Sequence, residues 1–191
     1  MRRITFDLET KNIFSDVGSN DPTDLDVSVV CIHDSFTNEY KSFLESDFKD
    51  LWPILEQADI FITWNGDHFD IPLLNKYYPG DLSRIKSIDL MKEVQLSMGR
   101  RLKLDSVASA TLGMNKSGHG LDAIEWWNNG EIDKLIKYCI DDVRITKELY
   151  DYAVANKHLK YIDSGILKEV PLKISGWEMP ASSAITYTLP F

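Results

Sequence analysis

The sequence predicts an α/β protein built on one mixed β-sheet, and three observations carry that prediction. Residues 3–10 alternate as a strand, and residues 27–44 read as a strand hairpin following it. Beyond residue 59, short strands alternate with helical stretches until a long amphipathic segment closes the pattern over 131–155. This order places the first strand centrally, with helices on the faces of the sheet.

The elements follow in turn. In Arg3-Ile4-Thr5-Phe6-Asp7-Leu8-Glu9-Thr10, Ile4, Phe6 and Leu8 share one face, while Thr5, Asp7 and Glu9 share the other. Residues 11–26 read as loop, with a turn signal at Asp21-Pro22-Thr23-Asp24 and solvated acids at Asp21, Asp24 and Asp26. Val27 to His33 is a buried strand, and Glu39 to Leu44 pairs with it across the short connection Ser35–Asn38. A helix follows, capped by Ser46 or Asp47, with Phe48, Leu51, Trp52 and Leu55 on one face and Pro53 awkwardly inside it. Asp59 to Trp64 is a strand, and helical spacing resumes from Phe69 to Tyr77 before Pro79-Gly80. Lys86 to Leu90 is a short strand leading into a helix-rich stretch punctuated by Gly113, Gly118 and Gly120. Leu121 to Trp127 forms a short helix. The long helix then keeps Leu135, Cys139, Val143, Thr146, Leu149 and Ala153 at a 3.6-residue period. Residues 157–175 read as a hairpin turning at Asp163-Ser164-Gly165, and 176–191 as an aromatic tail. The expected organisation is a domain over 1–156, with the hairpin and tail of 157–191 packed on it.

Composition narrows the function. With 43% hydrophobic and 27% charged residues in 191, the chain is that of an ordinary globular protein with room for a core. A net charge of -9 excludes a generally basic, polyanion-coating surface, but leaves open an enzyme that grips nucleic acid through metal ions. Cys31 and Cys139 lack zinc-like spacing and read as buried free thiols in a reducing compartment. The N-terminus has no apolar leader, and no stretch is long and apolar enough for a membrane span. A cytoplasmic protein without a membrane partner is expected.

The chemistry concentrates in acids. Asp7 and Glu9 repel on one strand face, and a divalent cation is the simplest partner that rewards the pair. On the long helix, Asp142 lies on the core-facing row with Leu135 and Cys139, whereas Asp141 points about 100° away, and Tyr138 sits one turn before Asp142. In Trp64-Asn65-Gly66-Asp67-His68-Phe69-Asp70, Asp67 is placed to cap the next helix and Asp70 falls in its first turn. His68 and His119 occupy loop or helix-start positions, and Trp126-Trp127 read as packing aromatics.

These motifs carry a resemblance. Asp7-Leu8-Glu9-Thr10, then Asn65-x-x-x-Phe69-Asp70, then Tyr138-x-x-x-Asp142 resembles the three motifs of the DEDD superfamily of 3′–5′ exonucleases, which have a ribonuclease-H-like fold. Leu104-Asp105-Ser106-Val107-Ala108 followed by Leu112-Gly113 is similar to a helix found between the second and third motifs. Tyrosine at 138, with lysine at 137, resembles the DEDDy branch, and within it small stand-alone members related to family B polymerase proofreading domains or to YprB-like domains. The resemblance covers residues 2 to about 155 and implies a five-stranded mixed sheet.

The resemblance also implies a mechanism. Two Mg²⁺ or Mn²⁺ ions about 4 Å apart would clamp the scissile phosphate. Asp7 would bridge them, with Glu9 and Asp142 on the ion that binds the attacking water and Asp70 on the other side. Tyr138 would orient that water, and Glu9 would hold a terminal 3′-hydroxyl. Leu8, Thr10, Asn65 and Phe69 are candidate substrate contacts, and the basic run Arg100, Arg101 and Lys103 is expected to meet the backbone of the incoming strand. The leading expectation is an exonuclease acting on single-stranded nucleic acid or 3′ ends, releasing nucleoside monophosphates. A structure-selective endonuclease and a non-catalytic binding module of a repair or replication assembly are the alternatives; DNA and RNA are not distinguished, nor is a helicase or polymerase partner identified.

Overall fold

A computed structural model describes residues 1–114, 118 and 120–179. The chain runs through β1 (Arg3–Thr10), α1 (Phe14–Val17), β2 (Val27–Asp34), β3 (Glu39–Leu44), α2 (Phe48–Leu55), β4 (Ile60–Thr63) and α3 (Asp70–Asn75). It continues through β5 (Lys86–Asp89), α4 (Leu90–Met98), α5 (Leu104–Leu112), α6 (Gly120–Asn128), α7 (Ile132–Asn156), β6 (His158–Asp163) and β7 (Ile166–Pro171). Five strands form one sheet in the order β3-β2-β1-β4-β5, with β1 at its centre. The β1–β2 and β2–β3 pairs are antiparallel, and β4 and β5 run parallel to β1, so the sheet is mixed as expected.

Alternation on β1 decides what each face does. Ile4, Phe6 and Leu8 are buried in one cluster with Phe48, Leu51 and Leu55 of α2 and Leu73 and Leu74 of α3. Phe6 meets Phe61 of β4 edge to face, with ring centres 5.1 Å apart. Full burial of each such side chain contributes about 1.5–3 kcal/mol. The opposite face of the sheet receives α7, whose Ile145, Leu149 and Ala153 pack with Ile60 and Ile62 of β4. Thr5, Asp7 and Glu9 therefore look toward α7.

The β6–β7 hairpin turns at Ser164 and Gly165, both with positive φ (52° and 78°). That is the backbone of a tight hairpin turn, for which glycine at the second position is suited. Leu159 and Val170 anchor the hairpin in the cluster shared with α5 and α7. Two local expectations need correction. Asp47 stands at the N-cap of α2 without capping it; its carboxylate accepts instead from the Leu44 N–H at 3.2 Å. Pro53 lies inside α2, as expected. The loop over 11–26 contains the one-turn helix α1. His119 and the tail beyond 179 lie outside the described residues. No described helix is long and apolar enough to cross a membrane.

Candidate active site

The site begins where β1 leaves the regular ladder. The register with β2 shifts between Glu9 and Thr10, a bulge of the kind that re-aims side chains at the end of a strand. Across from it, α7 presents Asp142, which is 3% exposed, while Asp141 turns outward and pairs with Arg144 at 2.9 Å. One carboxylate oxygen each from Asp7, Glu9 and Asp142 lies within 4.8 Å of the others. Bare carboxylates at such spacing repel by about 1–4 kcal/mol per pair between the bulk-water and near-surface limits. A divalent cation converts that repulsion into ligation, and the all-oxygen donor set fits Mg²⁺ or Mn²⁺. Behind Asp7, the Cys139 thiol donates to the Asp7 carbonyl at 3.5 Å.

Tyr138 stands one helical turn before Asp142 and hydrogen-bonds its carboxylate. Burial pushes the phenol far above its ordinary pKa, and the charges of Asp142, Glu9 and Asp7 push it further. In the metal-free protein the hydroxyl therefore keeps its proton. Trp126 of α6 packs edge to face on the tyrosine ring at 5.7 Å. Gly118 lies against both rings: a Cβ there would fall 2.9 Å from Trp126 and 3.5 Å from Tyr138. The close approach explains a glycine at that position.

Asp70 occupies a different place from the other three acids. β1 pairs with β4 only along Arg3–Thr5, and beyond the end of that pairing the Leu8 N–H donates to Asp70 Oδ1 at 3.2 Å. Asp70 is thus tied to the backbone between Asp7 and Glu9, without an oxygen in the three-residue group. Its burial pushes its pKa up to about 7, and the nearby Asp89 adds to the rise.

The β4–α3 turn is organised by an acid that the sequence reading passed over. Asp89, at the end of β5, is 3% exposed and accepts from Asn65 N at 2.8 Å and Asp67 N at 3.2 Å. It also caps α4 by accepting from Lys92 N at 3.2 Å. The available signal was an aspartate directly before a helix. These bonds hold Asn65 at φ 73°, a conformation asparagine tolerates better than most residues. Asn65 Oδ1 is buried and makes no hydrogen bond to the described residues. Asp67 does not cap α3 as expected; it pairs with Lys92 at 2.6 Å.

Two recesses meet at this place. One, of about 690 Å³, is lined by Asp7, Tyr138, Asn65, Arg101 and Lys103 among others. The second, of about 380 Å³, is lined by Leu8, Glu9, Thr10 and Phe69 from the expected set. Phe14, Leu121 and Ile124 are among its other walls. Phe14 packs edge to face on Phe69 at 6.2 Å. None of those three was singled out in the sequence, because each reads locally as ordinary apolar patterning. Arg100 departs from expectation: its guanidinium lies 5.6 Å from the ring centre of Tyr161 and 3.7 Å from Asp163, on the hairpin.

A central strand carrying two acids, closed over by an acidic helix face, defines an α/β protein with a carboxylate site suited to divalent cations. Residues 4–154 match the family model described as RNase_H superfamily, and the chain belongs to that superfamily. Among solved structures, the chain is similar to the family B DNA polymerase from the hyperthermophilic archaeon Pyrobaculum calidifontis, with a TM-score of 0.62 and 20% identity. The match covers 81% of this chain and 24% of the polymerase, so the likeness is one of fold. No curated protein matches the chain.

Proposed function

We propose that the protein is a metal-dependent 3′–5′ exonuclease acting on single-stranded nucleic acid and releasing nucleoside 5′-monophosphates. The observation that carries this reading is the convergence of Asp7, Glu9 and Asp142 within 4.8 Å, inside the fold of the RNase_H superfamily. The match of the three motifs to the tyrosine-bearing exonuclease branch supports the same reading, as does the fold shared with a family B DNA polymerase.

Asp7, Glu9 and Asp142 would hold the cation, with Asp70 tied in beside them through the Leu8 N–H. When bound, a divalent cation supplies charge stabilisation for the phosphate and an acidified water. Tyr138, its proton retained, holds the attacking water by hydrogen bonding rather than removing its proton. Arg101 and Lys103 line the cleft on the side where the phosphate backbone enters. Water oxygen adds to phosphorus as the bond to the 3′-oxygen of the preceding nucleotide breaks; the water gives up a proton to solvent and the departing 3′-oxygen takes one up. In this reading the apolar recess of ≈ 380 Å³ beside Glu9, lined by Leu8, Phe69, Leu121 and Ile124, would take the terminal base. Buried free thiols at Cys31 and Cys139 suit a cytoplasmic setting.

Digestion of 5′-labelled DNA and RNA oligonucleotides with Mg²⁺, Mn²⁺ or EDTA tests the proposal. A ladder of shortening products that vanishes with EDTA and with Asp7→Ala is expected. Cleavage that survives both treatments would overturn it, and a single internal cut would move the assignment to an endonuclease.

A further inference from the structure

The β6–β7 hairpin lies outside the acid cluster, yet it is joined to the cleft by one short run of sequence. Arg101 and Lys103 line the recess that contains Asp7 and Tyr138. Their neighbour Arg100 leaves that recess and lies over Tyr161 at 5.6 Å. Pairing along the hairpin sets Tyr161 opposite Lys168, on the face whose inner end is the buried Leu159–Val170 pair. That face therefore turns toward the body of the protein and meets Arg100 at its outer half. Lys168 and Arg100 share a single carboxylate, Asp163, at 2.7 Å and 3.7 Å, which leaves the group net positive. Arg100 and Lys168 remain half-exposed, with side chains 54% and 44% accessible.

The charge of this strip runs against that of the chain. The protein as a whole carries -9, yet at the hairpin Arg100 and Lys168 share one acid, Asp163, while Arg101 and Lys103 line their recess together with Asp7 and Asp105. Arg100, laid over Tyr161, and Lys168 offer cations to the phosphates of a single strand, and the outer plane of the Arg100 guanidinium offers a base a stacking surface. The alternative occupant, a protein partner on the apolar hairpin tip, has no comparable complementarity.

We infer that the hairpin extends the substrate path, so that single-stranded nucleic acid leaving the acid cluster runs past Arg101 and Lys103 onto Arg100, Tyr161 and Lys168. The inference rests on the exonuclease reading for the direction of the strand, while the binding it requires can be measured without cleavage. At about 3.3 Å per residue, a six-residue strand adds roughly 20 Å of surface beyond the cleft.

Fluorescence anisotropy of 5′-labelled single strands in EDTA, titrated at several salt concentrations, provides the test. Arg100→Glu/Lys168→Glu is compared with Lys41→Glu/Lys49→Glu, which alters net charge equally on β3 and α2, away from the hairpin. The expected result is at least about tenfold weaker binding for the hairpin variant, a salt slope shallower by about 1.4, and no such change in the control variant. All four positions are on the surface, and circular dichroism melting verifies that both variants fold. Equal weakening in the two variants, no weakening in either, or no binding by the wild-type protein would each overturn the strand path. Wild-type binding that depends on the hairpin, with no cleavage under Mg²⁺ or Mn²⁺, would sustain the path and remove the nuclease assignment instead.

Discussion

At the scale of single residues, the site is a set of opposed electrostatic demands. In the metal-free protein Tyr138 is held protonated by burial and by three carboxylates, which suits the water-orienting role proposed for it. Tyr138→Phe keeps the ring against Trp126 and removes only the hydroxyl. We expect kcat to fall by about 10- to 100-fold with KM little changed, measured by steady-state release of mononucleotides. An equal loss in KM would point to substrate binding. Asp70 makes a second demand, visible in the metal-free protein. The folded carboxyl holds its proton to about pH 7, whereas an unfolded aspartate releases it near 4. Between these values the folded state binds more protons, so stability falls as pH rises. Asp89, also raised by burial, acts in the same direction. Asp26, lowered by its hydrogen bond from Lys76, acts below pH 4 and in the opposite sense. Melting in EDTA should therefore drop from pH 5 to pH 8, and Asp70→Asn should flatten the profile; a rising profile would contradict the assignment. Side-chain identity and periodicity were enough to single out Asp142 over Asp141 as the inward acid. They were not enough to separate Asp70 from the other three, because its position depends on where β4 stops pairing with β1.

At the scale of elements, strands and long helices were legible because their apolar periods are local. β1, the β2–β3 hairpin, β4, β5, α7 and the β6–β7 hairpin all fall where alternation or a 3.6-residue period put them. Connections were harder to read, since their hydrogen bonds are made to distant elements. Asp67 had every local mark of a helix cap, yet a lysine on α4 claims it. Arg100 belonged by sequence to a basic run, yet a hairpin sixty residues later draws it away from the cleft. Asp89 shows the same physics in reverse, as one carboxylate that organises two elements. Asp89→Asn replaces an acceptor oxygen by an amide that cannot serve the Asn65 or Asp67 N–H. A loss of about 1–3 kcal/mol in denaturant unfolding is expected. Nuclease activity should fall beyond what the lost folded fraction explains, since Asn65 lines the cleft. Activity that merely tracks the folded fraction would confine Asp89 to a structural role.

At the scale of the whole molecule, the acid cluster is both a cost to the fold and the place where a cation repays it. An ion that binds only the folded state stabilises by about 2.7 kcal/mol at a hundred times its Kd. For a chain of 191 residues this corresponds to a rise of about 5–10 °C in Tm. Scanning calorimetry with and without Mn²⁺ should show that rise, and Asp7→Asn/Glu9→Gln should abolish it; a gain retained by the variant would locate the ion elsewhere. The central position of β1 carries one more consequence. Asp7 and Glu9 lie on the first strand, and Asp142 lies in the middle of the last long helix. A ribosome delivers the first two long before the third. The cluster therefore stays incomplete until α7 has been made and has packed against β1, and a polypeptide that stops before residue 142 carries only two of its three acids.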